Sequence, residues 1–245
     1  MTSGRAPEPV PNEDRAARFR ASTEALLEVI ALGPEDAERA QKGGADRLEL
    51  VTDMAVAGLT PSAAVVREVL GATDLPVRVM LRAEDSFRPV GLDGLRSRAA
   101  DLAEAGAAEF VFGFLTPGGE PDLAACRALA ESVPGCRWTF HRAVDHAADP
   151  RAAHAMLVEA ECDTVLTAGH PEGVERGRTL LRELAARREG PRLLAGGGLR
   201  AEHIAPLRAA GVTAFHVGGA VRQGGWTESL DAEAVRRWAE LVSSS

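Results

Sequence analysis

Eight short apolar segments alternate with eight segments of helical pattern, and this alternation constrains the fold more than any other feature of the sequence. The predicted strands are residues 26–30, 46–51, 76–82, 109–114, 137–142, 163–167, 192–195 and 214–217. The predicted helices are residues 34–42, 61–70, 92–105, 122–132, 150–160, 171–188, 201–210 and 231–242. Strands that alternate with helices of this length form parallel crossover units.

Eight such units in 245 residues predict an α/β fold, a single closed (β/α)8 barrel of the TIM type that ends in a C-terminal helix. An open, doubly wound sheet is the alternative. That fold would place a glycine-rich phosphate-binding turn after the first strand, whereas the glycines here cluster late, around residues 196–198 and 218–219. We therefore expect one barrel domain over residues 25–245, preceded by a flexible arm over residues 1–24.

Small residues mark where several helices end. Gly43-Gly44, Gly106 and Gly211 each follow a helical segment and precede a strand, which predicts left-handed helix ends at the amino-terminal side of the barrel. Thr60-Pro61 predicts the start of the second helix, with Thr60 as its cap.

The composition excludes several classes of function. A net charge of −8 without a cluster of basic residues argues against a nucleic-acid or anionic-membrane surface. No apolar stretch approaches the roughly 20 residues that span a bilayer, and the first residues lack the apolar core of a secretory signal. Cys126, Cys136 and Cys162 show no paired spacing and indicate reduced thiols. We expect a cytoplasmic protein.

Polar side chains gather near the carboxyl ends of the predicted strands, where TIM barrels place their active sites. The candidate catalytic residues are His141, Asp145, Glu49 and Glu28. The candidate substrate-binding residues are Arg82, Arg142, Thr167 and His216. His141 has the residue type for general acid or base chemistry near neutral pH, and Asp145 is placed to orient it or to supply a second proton-transfer group.

Two plainer interpretations remain open at this point. Glu28 and Glu49 could belong to a buried network of paired charges, with Arg82 or Arg142 as the cation. His216, between Phe215 and Val217, could simply satisfy a core hydrogen bond.

The glycine segments that follow strands seven and eight could bind an anion, because their backbone N–H groups are unobstructed by side chains. The candidate residues are Gly196, Gly197, Gly198, Gly218 and Gly219. Alternatively, they only permit tight turns. Two Glu and two His at one mouth would also suit Mg, Mn or Zn, although no compact ligand motif is present.

Several phrases of the sequence, read together and in order, resemble the CutC family, which is named for copper homeostasis. They cover roughly residues 26–220 and comprise Leu27-Glu28-Val29, Gly43-Gly44-Ala45-Asp46-Arg47-Leu48-Glu49-Leu50, Gly58-Leu59-Thr60-Pro61-Ser62, Val79-Met80-Leu81-Arg82, Val111-Phe112-Gly113, Thr139-Phe140-His141-Arg142-Ala143 with Asp145, Val165-Leu166-Thr167-Ala168-Gly169, Gly196-Gly197-Gly198 and Phe215-His216.

The resemblance implies a cytoplasmic, self-associating TIM barrel linked to copper handling. Copper binding in relatives is proposed to use cysteines at two positions that hold Ile30 and Val51 here. Because Cu(I) prefers soft thiolate ligands, these replacements remove the obvious site.

Three functions follow from these observations. The first is an enzyme, a lyase or an isomerase, that uses acid/base residues on a small anionic, sugar-like or hydroxy-carbonyl compound. The second is a copper-binding protein without turnover, and the third is a scaffold with a vestigial barrel mouth.

Overall fold

The computed structural model describes residues 24–187 and 189–244 and shows a closed barrel of eight parallel strands in sequence order. The strands are β1 Leu26–Ala31, β2 Arg47–Leu50, β3 Val77–Met80, β4 Glu109–Phe112, β5 Arg137–Phe140, β6 Thr164–Thr167, β7 Arg192–Gly196 and β8 Ala214–Val217. Strand β1 pairs with both β2 and β8, which closes the ring. The predicted TIM barrel is confirmed.

A helix follows each strand on the outside of the barrel. The helices are α1 Pro34–Gly43, α2 Ala63–Ala72, α3 Leu92–Glu104, α4 Leu123–Ala130, α5 Pro150–Met156, α6 Val174–Ala185, α7 Ala201–Ala209 and α8 Ala232–Ser243. The C-terminal helix α8 packs on α1, where Gly43 allows close contact: a Cβ there would lie 2.5 Å from Cβ of Val235. No helix in the described residues is both long and apolar enough to cross a membrane.

The helix ends test two local predictions. Gly44, Gly106 and Gly211 have φ values of 89°, 104° and 103°, so the left-handed turns after these helices are confirmed. The predicted start of α2 is wrong, because Ser62 caps it through a hydrogen bond from the Val65 amide. The Thr60 hydroxyl instead exchanges hydrogen bonds with the backbone of Arg82, which ties the loop after β2 to the end of β3.

Side chains along each strand point alternately towards the surrounding helices and towards the barrel axis, so the protein has two separate interior regions. In β1, Leu27 and Val29 belong to the large apolar core between strands and helices, whereas Glu28 faces the axis. Towards the carboxyl ends of the strands, Ile30, Val51, Met80 and Val111 form an apolar cluster.

The lower part of the axis is a network of charges. Arg78 is fully buried and binds Oε2 of Glu109 at 2.9 Å, Oδ1 of Asp163 at 2.6 Å and the hydroxyl of Thr139. Arg137 contacts the same two carboxylates from a more exposed position. This network supports the barrel from within, at the end opposite to the predicted site.

The predicted flexible arm lies, apart from Glu24, outside the described residues.

Candidate functional site

A cavity of about 410 Å3 opens at the carboxyl ends of the strands, at the position that the sequence predicts. The titratable side chains that line it are Glu49, Arg82, His141, Arg142, His146 and His216. Glu28, Asp145, Thr167 and Gly196 were predicted at the site but are not among the residues that line the cavity. Glu28 contacts His216, Asp145 contacts Arg142 and Gly196 lies against His216, and these partners do line it, whereas Thr167 contacts Asp145.

The floor of the cavity is a chain of hydrogen bonds and ion pairs that runs across the first, second and last strands. Nδ1 of His216 lies 2.8 Å from Oε1 of Glu28, whose Oε2 accepts a hydrogen bond of 2.5 Å from Nε of Arg47. On its other side, Nε2 of His216 lies 3.6 Å from Oε2 of Glu49. The other oxygen of Glu49, Oε1, is buried and has no hydrogen-bond partner in the described part of the chain.

This arrangement separates the acidities of the two carboxyl groups. Burial raises the pKa of Glu49 to about 7, helped by the charge of Glu28 and opposed by His216 and Arg47. Burial would also raise the pKa of Glu28, but Arg47 and His216 outweigh it and hold that pKa well below its usual range. His216 responds in the opposite sense: burial lowers its pKa, while Glu49 and Glu28 raise it above the ordinary value. Two carboxyl groups with separated pKa values mark Glu49 as the proton-transfer candidate.

Arg47 is therefore the cation of this network, and neither Arg82 nor Arg142 supplies it as the sequence suggested. Arg47 and Glu49 alternate in β2 and so face the same side of the strand, which is the signal that could have identified Arg47. Glu28 is paired with Arg47 in a buried network, and its catalytic role stays a prediction.

His141 follows β5 and presents a neutral imidazole to the cavity. Its Nδ1 accepts a hydrogen bond of 3.2 Å from the Ala143 amide, which assigns the ring proton to Nε2. Burial lowers the pKa of His141 to about 3, and the positive charge of Arg82 contributes. Gly113 gives the ring room, since a Cβ there would lie 3.0 Å from Nδ1. His141 is thus a hydrogen-bond donor at neutral pH, not a cation.

Arg142 is the more exposed of the two arginines, Arg82 and Arg142, that line the cavity. Its Nε donates to Oδ2 of Asp145 at 2.8 Å and its Nη2 donates to the carbonyl of Pro171 at 3.1 Å, while one third of the side chain stays exposed. Gly197 lies against the guanidinium: a Cβ at this position would be 2.7 Å from Cζ of Arg142.

Asp145 and Thr167 form a hydrogen-bonded group that holds Arg142. Asp145 is 1% exposed and accepts hydrogen bonds from the Ala168 amide at 2.9 Å, the Gly169 amide at 3.1 Å and the Thr167 hydroxyl. The sequence left open whether Asp145 touches His141, and the carboxylate of Asp145 binds Arg142, Thr167 and the Ala168 and Gly169 amides. Both residues are positioning residues.

Arg82 has a similar revised role. Its Nη1 donates to the carbonyls of Val56 and Gly58, and its Nη2 binds Oδ1 of Asp85 at 2.7 Å. These bonds fasten the loops that follow β2 and β3 and leave little capacity for a ligand. Its charge still acts on the site by lowering the pKa of His141.

Close packing explains several of the glycines that follow β7 and β8. A Cβ at Gly196 would lie 2.8 Å from Cβ of His216, and a Cβ at Gly218 would enter the space of the Trp226 ring. Gly197, Gly198, Gly218 and Gly219 all line the cavity. The structure therefore explains three of these glycines by close packing, and anion binding by their backbone stays a prediction.

Metal ligation finds no support in this geometry. In residues 24–187 and 189–244, no three His, Cys, Asp or Glu side chains are grouped so that they could hold a metal ion. Cys126 lies on α4, and Cys136 and Cys162 precede β5 and β6, away from the mouth. Burial raises the pKa of Cys136 to about 11 and that of Cys126 to about 12, and it raises the pKa of Cys162 as well. Thiolates, which soft metals require, are thus disfavoured.

We predict that the thiols of the folded protein react slowly with Ellman's reagent at about pH 8. Cys126 and Cys162 are buried, so only the partly exposed Cys136 should react before unfolding, whereas all three should react at once in guanidinium chloride. Replacing Cys136 by serine should abolish the native-state reaction. Rapid modification of two thiols in the folded chain would contradict the assignment and reopen a thiol copper site.

A closed (β/α)8 barrel with titratable side chains around a cavity at the carboxyl ends of its strands defines a class, the TIM-barrel proteins. Within that class, the CutC family model matches residues 25–221, and the chain belongs to the CutC family.

Known relatives agree with this assignment. The CutC family protein of Enterobacter sp. (strain 638) is 34% identical over 208 residues, which cover 84% of this chain and 83% of the relative. That of Bacteroides fragilis (strain YCH46) is 36% identical over 197 residues and covers 78% of each chain. The solved CutC structure from Streptococcus agalactiae, described as a candidate copper homeostasis protein, has a TM-score of 0.69 at 25% identity and covers 79% of this chain and 98% of its own.

A candidate phosphonomutase from Burkholderia cenocepacia J2315 is similar in fold alone, with a TM-score of 0.58 at 20% identity. It covers 85% of this chain and 92% of its own.

Proposed function

We propose that this chain is an enzyme that moves a proton at a carbon atom next to a carbonyl group in a small organic anion. Such chemistry belongs to an isomerase or a lyase. The proton acceptor Glu49 lies on β2, and the neutral donor His141 and the cation Arg142 follow β5, so side chains from two strand ends meet at the cavity, as in TIM-barrel enzymes.

The observation that carries the proposal is the state of Glu49. Its Oε1 is buried at the cavity without a hydrogen-bond partner in the described residues, and its pKa of about 7 matches the pH at which a general base works best. A buried carboxylate oxygen without a partner is unfavourable when it is ionised, which contributes to the raised pKa of Glu49.

His141 supplies the second part of the chemistry. When Glu49 takes the proton, the electron pair of the carbon–hydrogen bond forms a carbon–carbon double bond, and the carbonyl π electrons move to oxygen. The Nε2–H of His141 would donate to that oxygen, and a neutral imidazole is a suitable donor because its own pKa stays low. In a hydroxy-ketone, the enolate oxygen takes the proton of the hydroxyl on the deprotonated carbon, that hydroxyl oxygen becomes the new carbonyl, and Glu49 returns its proton to the former carbonyl carbon, which gives isomerisation. If the carbon on the far side of the deprotonated one carries a leaving group, the enolate re-forms the carbonyl and that group departs with its bonding electrons, which gives elimination.

Arg142 would bind the anionic group of the substrate, because its guanidinium is held rigidly by Asp145 and still faces the cavity. The adjoining glycine loops add backbone surface without side chains. His216, Glu28 and Arg47 would hold Glu49 in place and keep its pKa near 7. The cytoplasmic location and the self-association expected from the sequence stay predictions.

The proposal is tested by carbon–deuterium exchange. Small keto acids, hydroxy-ketones and their phosphates are incubated with the protein in buffered D2O, and the loss of the proton next to the carbonyl is followed by NMR. Because Glu49 acts only when ionised, the rate should rise about tenfold per pH unit below about 7 and become level above it. His141 adds no pH dependence of its own near neutrality, since it stays neutral there.

Two results would count against the proposal. One is the absence of exchange in every compound of the panel. The other is a rate that falls as the pH rises through 7, which would require a protonated Glu49 and hence an acid in place of a base.

A further inference from the structure

We infer that Trp226 determines substrate specificity and that the substrate is an organic anion with an apolar, ring-sized body that packs on this indole. The inference rests on the proposed function in taking the cavity as the substrate site. It goes further by stating which kind of anion fits.

The cavity has two chemically different sides. The polar side contains His141 and Arg142. The other side consists of Ile30, Met54, Met80 and Trp226, which form one apolar cluster together with Val51 and Val111. Glu49 pairs with Ile30 in the register of β1 and β2 and so borders this apolar cluster. Apart from the indole N–H, the side chains of this apolar wall offer a ligand no hydrogen-bond donor.

The indole of Trp226 packs closely against Gly218. A Cβ at Gly218 would collide with the ring and would lie 2.7 Å from Cδ1 of Ile30, so only glycine at this position admits the tryptophan. Trp226 is nevertheless only partly buried, and it lines the cavity. A large aromatic ring that is fixed but partly uncovered is suited to packing against a second apolar group.

The segment that carries Trp226 is anchored away from the cavity. Arg222 lies with Cζ 5.5 Å from the indole centroid, and its Nη2 binds Oδ2 of Asp36 at 2.6 Å. The Leu230 amide donates to Oδ1 of the same carboxylate at 3.3 Å, and Arg222 and Leu230 form an antiparallel bridge. The charge of Arg222 is therefore satisfied by Asp36, and the segment presents an aromatic surface to the cavity, not a cationic one.

These contacts argue against a polyhydroxylated sugar phosphate. Each hydroxyl that leaves water needs a hydrogen-bond partner, and the wall of Ile30, Met54 and Met80 supplies none. An apolar ring or branched alkyl chain suffers no such penalty there, while its anionic group can reach Arg142 on the polar side. The shape and chemistry of the cavity thus favour aryl- or alkyl-substituted keto acids.

Isothermal titration calorimetry with phenylpyruvate, pyruvate and glyceraldehyde 3-phosphate tests the inference. We expect phenylpyruvate to bind at least about tenfold more tightly than either other probe, because only its ring covers the apolar wall. Trp226→Ala should weaken the binding of phenylpyruvate about tenfold and change the affinity for pyruvate by less than about twofold. Trp226→Phe should keep most of the preference for phenylpyruvate over pyruvate. Leu241→Ala, which removes an exposed apolar side chain on α8, is the matched control and should change nothing.

Tighter binding of glyceraldehyde 3-phosphate, equal weakening of all three probes by Trp226→Ala, or no binding of any probe would overturn the inference. Its failure can be distinguished from failure of the proposed function. Exchange of deuterium into pyruvate without a phenylpyruvate preference would reject the role of Trp226 alone. A phenylpyruvate preference without exchange in any compound would reject the proton-transfer chemistry alone.

Discussion

Replacing Glu49 by glutamine is expected to lower the rate of deuterium exchange by a factor on the order of 10² to 10⁴, the range that a positioned general base contributes. Glutamine keeps the size of the side chain but has no basic oxygen at neutral pH. Glu49→Asp keeps a basic carboxylate and should retain part of the activity. The rate should still fall, because that carboxylate lies one methylene further from the substrate. Binding of the anionic probes should change little in Glu49→Gln, since Arg142 remains in place.

The matched control for Glu49 is Glu35→Gln on helix α1. The side chain of Glu35 is 81% exposed and lies outside the cavity lining, so its replacement should leave exchange unaffected. Thermal unfolding of each variant verifies that the barrel is intact. Full exchange activity in a folded Glu49→Gln variant would remove Glu49 from the chemistry and leave His216 as the remaining candidate on the floor.

Replacing Arg78 by methionine is expected to reduce the free energy of unfolding by about 3–5 kcal/mol, which is typical when one partner of a buried ion pair is removed. The Arg78 side chain is completely buried, and its loss deprives Glu109 and Asp163 of their closest cation. Burial would raise the pKa of Asp163, but Arg78 holds it below the ordinary value, so the ionised carboxylate becomes unfavourable in the variant. Urea denaturation measures the loss.

Arg137→Met provides a control that contacts the same two carboxylates. The Arg137 side chain is 66% exposed, so its ion pairs are screened by water and their loss should reduce the free energy of unfolding by no more than about 1 kcal/mol. The triple variant Arg78→Met, Glu109→Gln, Asp163→Asn should recover much of the stability, because no uncompensated carboxylate remains. Equal losses in Arg78→Met and Arg137→Met would show that burial of the network is unimportant.

The sequence was sufficient for the fold because the relevant signals are local. Alternating apolar and helical segments, and glycines such as Gly44 and Gly106 at helix ends, depend on neighbours along the chain. The same alternation brings Glu49 and His141 to the carboxyl ends of their strands. The barrel, its mouth and two central residues of the candidate site were therefore accessible without coordinates.

The partners of these residues were not accessible, because they depend on contacts between distant strands. Nothing in the spacing shows that Thr167 donates to Asp145 or that Arg82 is occupied by the carbonyls of Val56 and Gly58. Trp226 was missed for a related reason: it lies in an irregular segment, and only the closed barrel brings that segment over the mouth. The sequence contains a weak indication that Arg78 lies inside the barrel, since it is two residues from Met80 in β3 and so faces the axis on the same side.

The floor of the cavity joins Glu28 to His216, residues 188 positions apart in the chain. During synthesis from the amino terminus, the ribosome must therefore deliver nearly the whole barrel before the imidazole that adjoins Glu49 is available. Until then, Glu28 and Glu49 have no partner from β8, and the edge of β1 that β8 covers is open. We expect the pairing of β1 with β8 to be a late step in folding, so that the cluster of Glu28, Glu49 and His216 is completed only when the barrel closes.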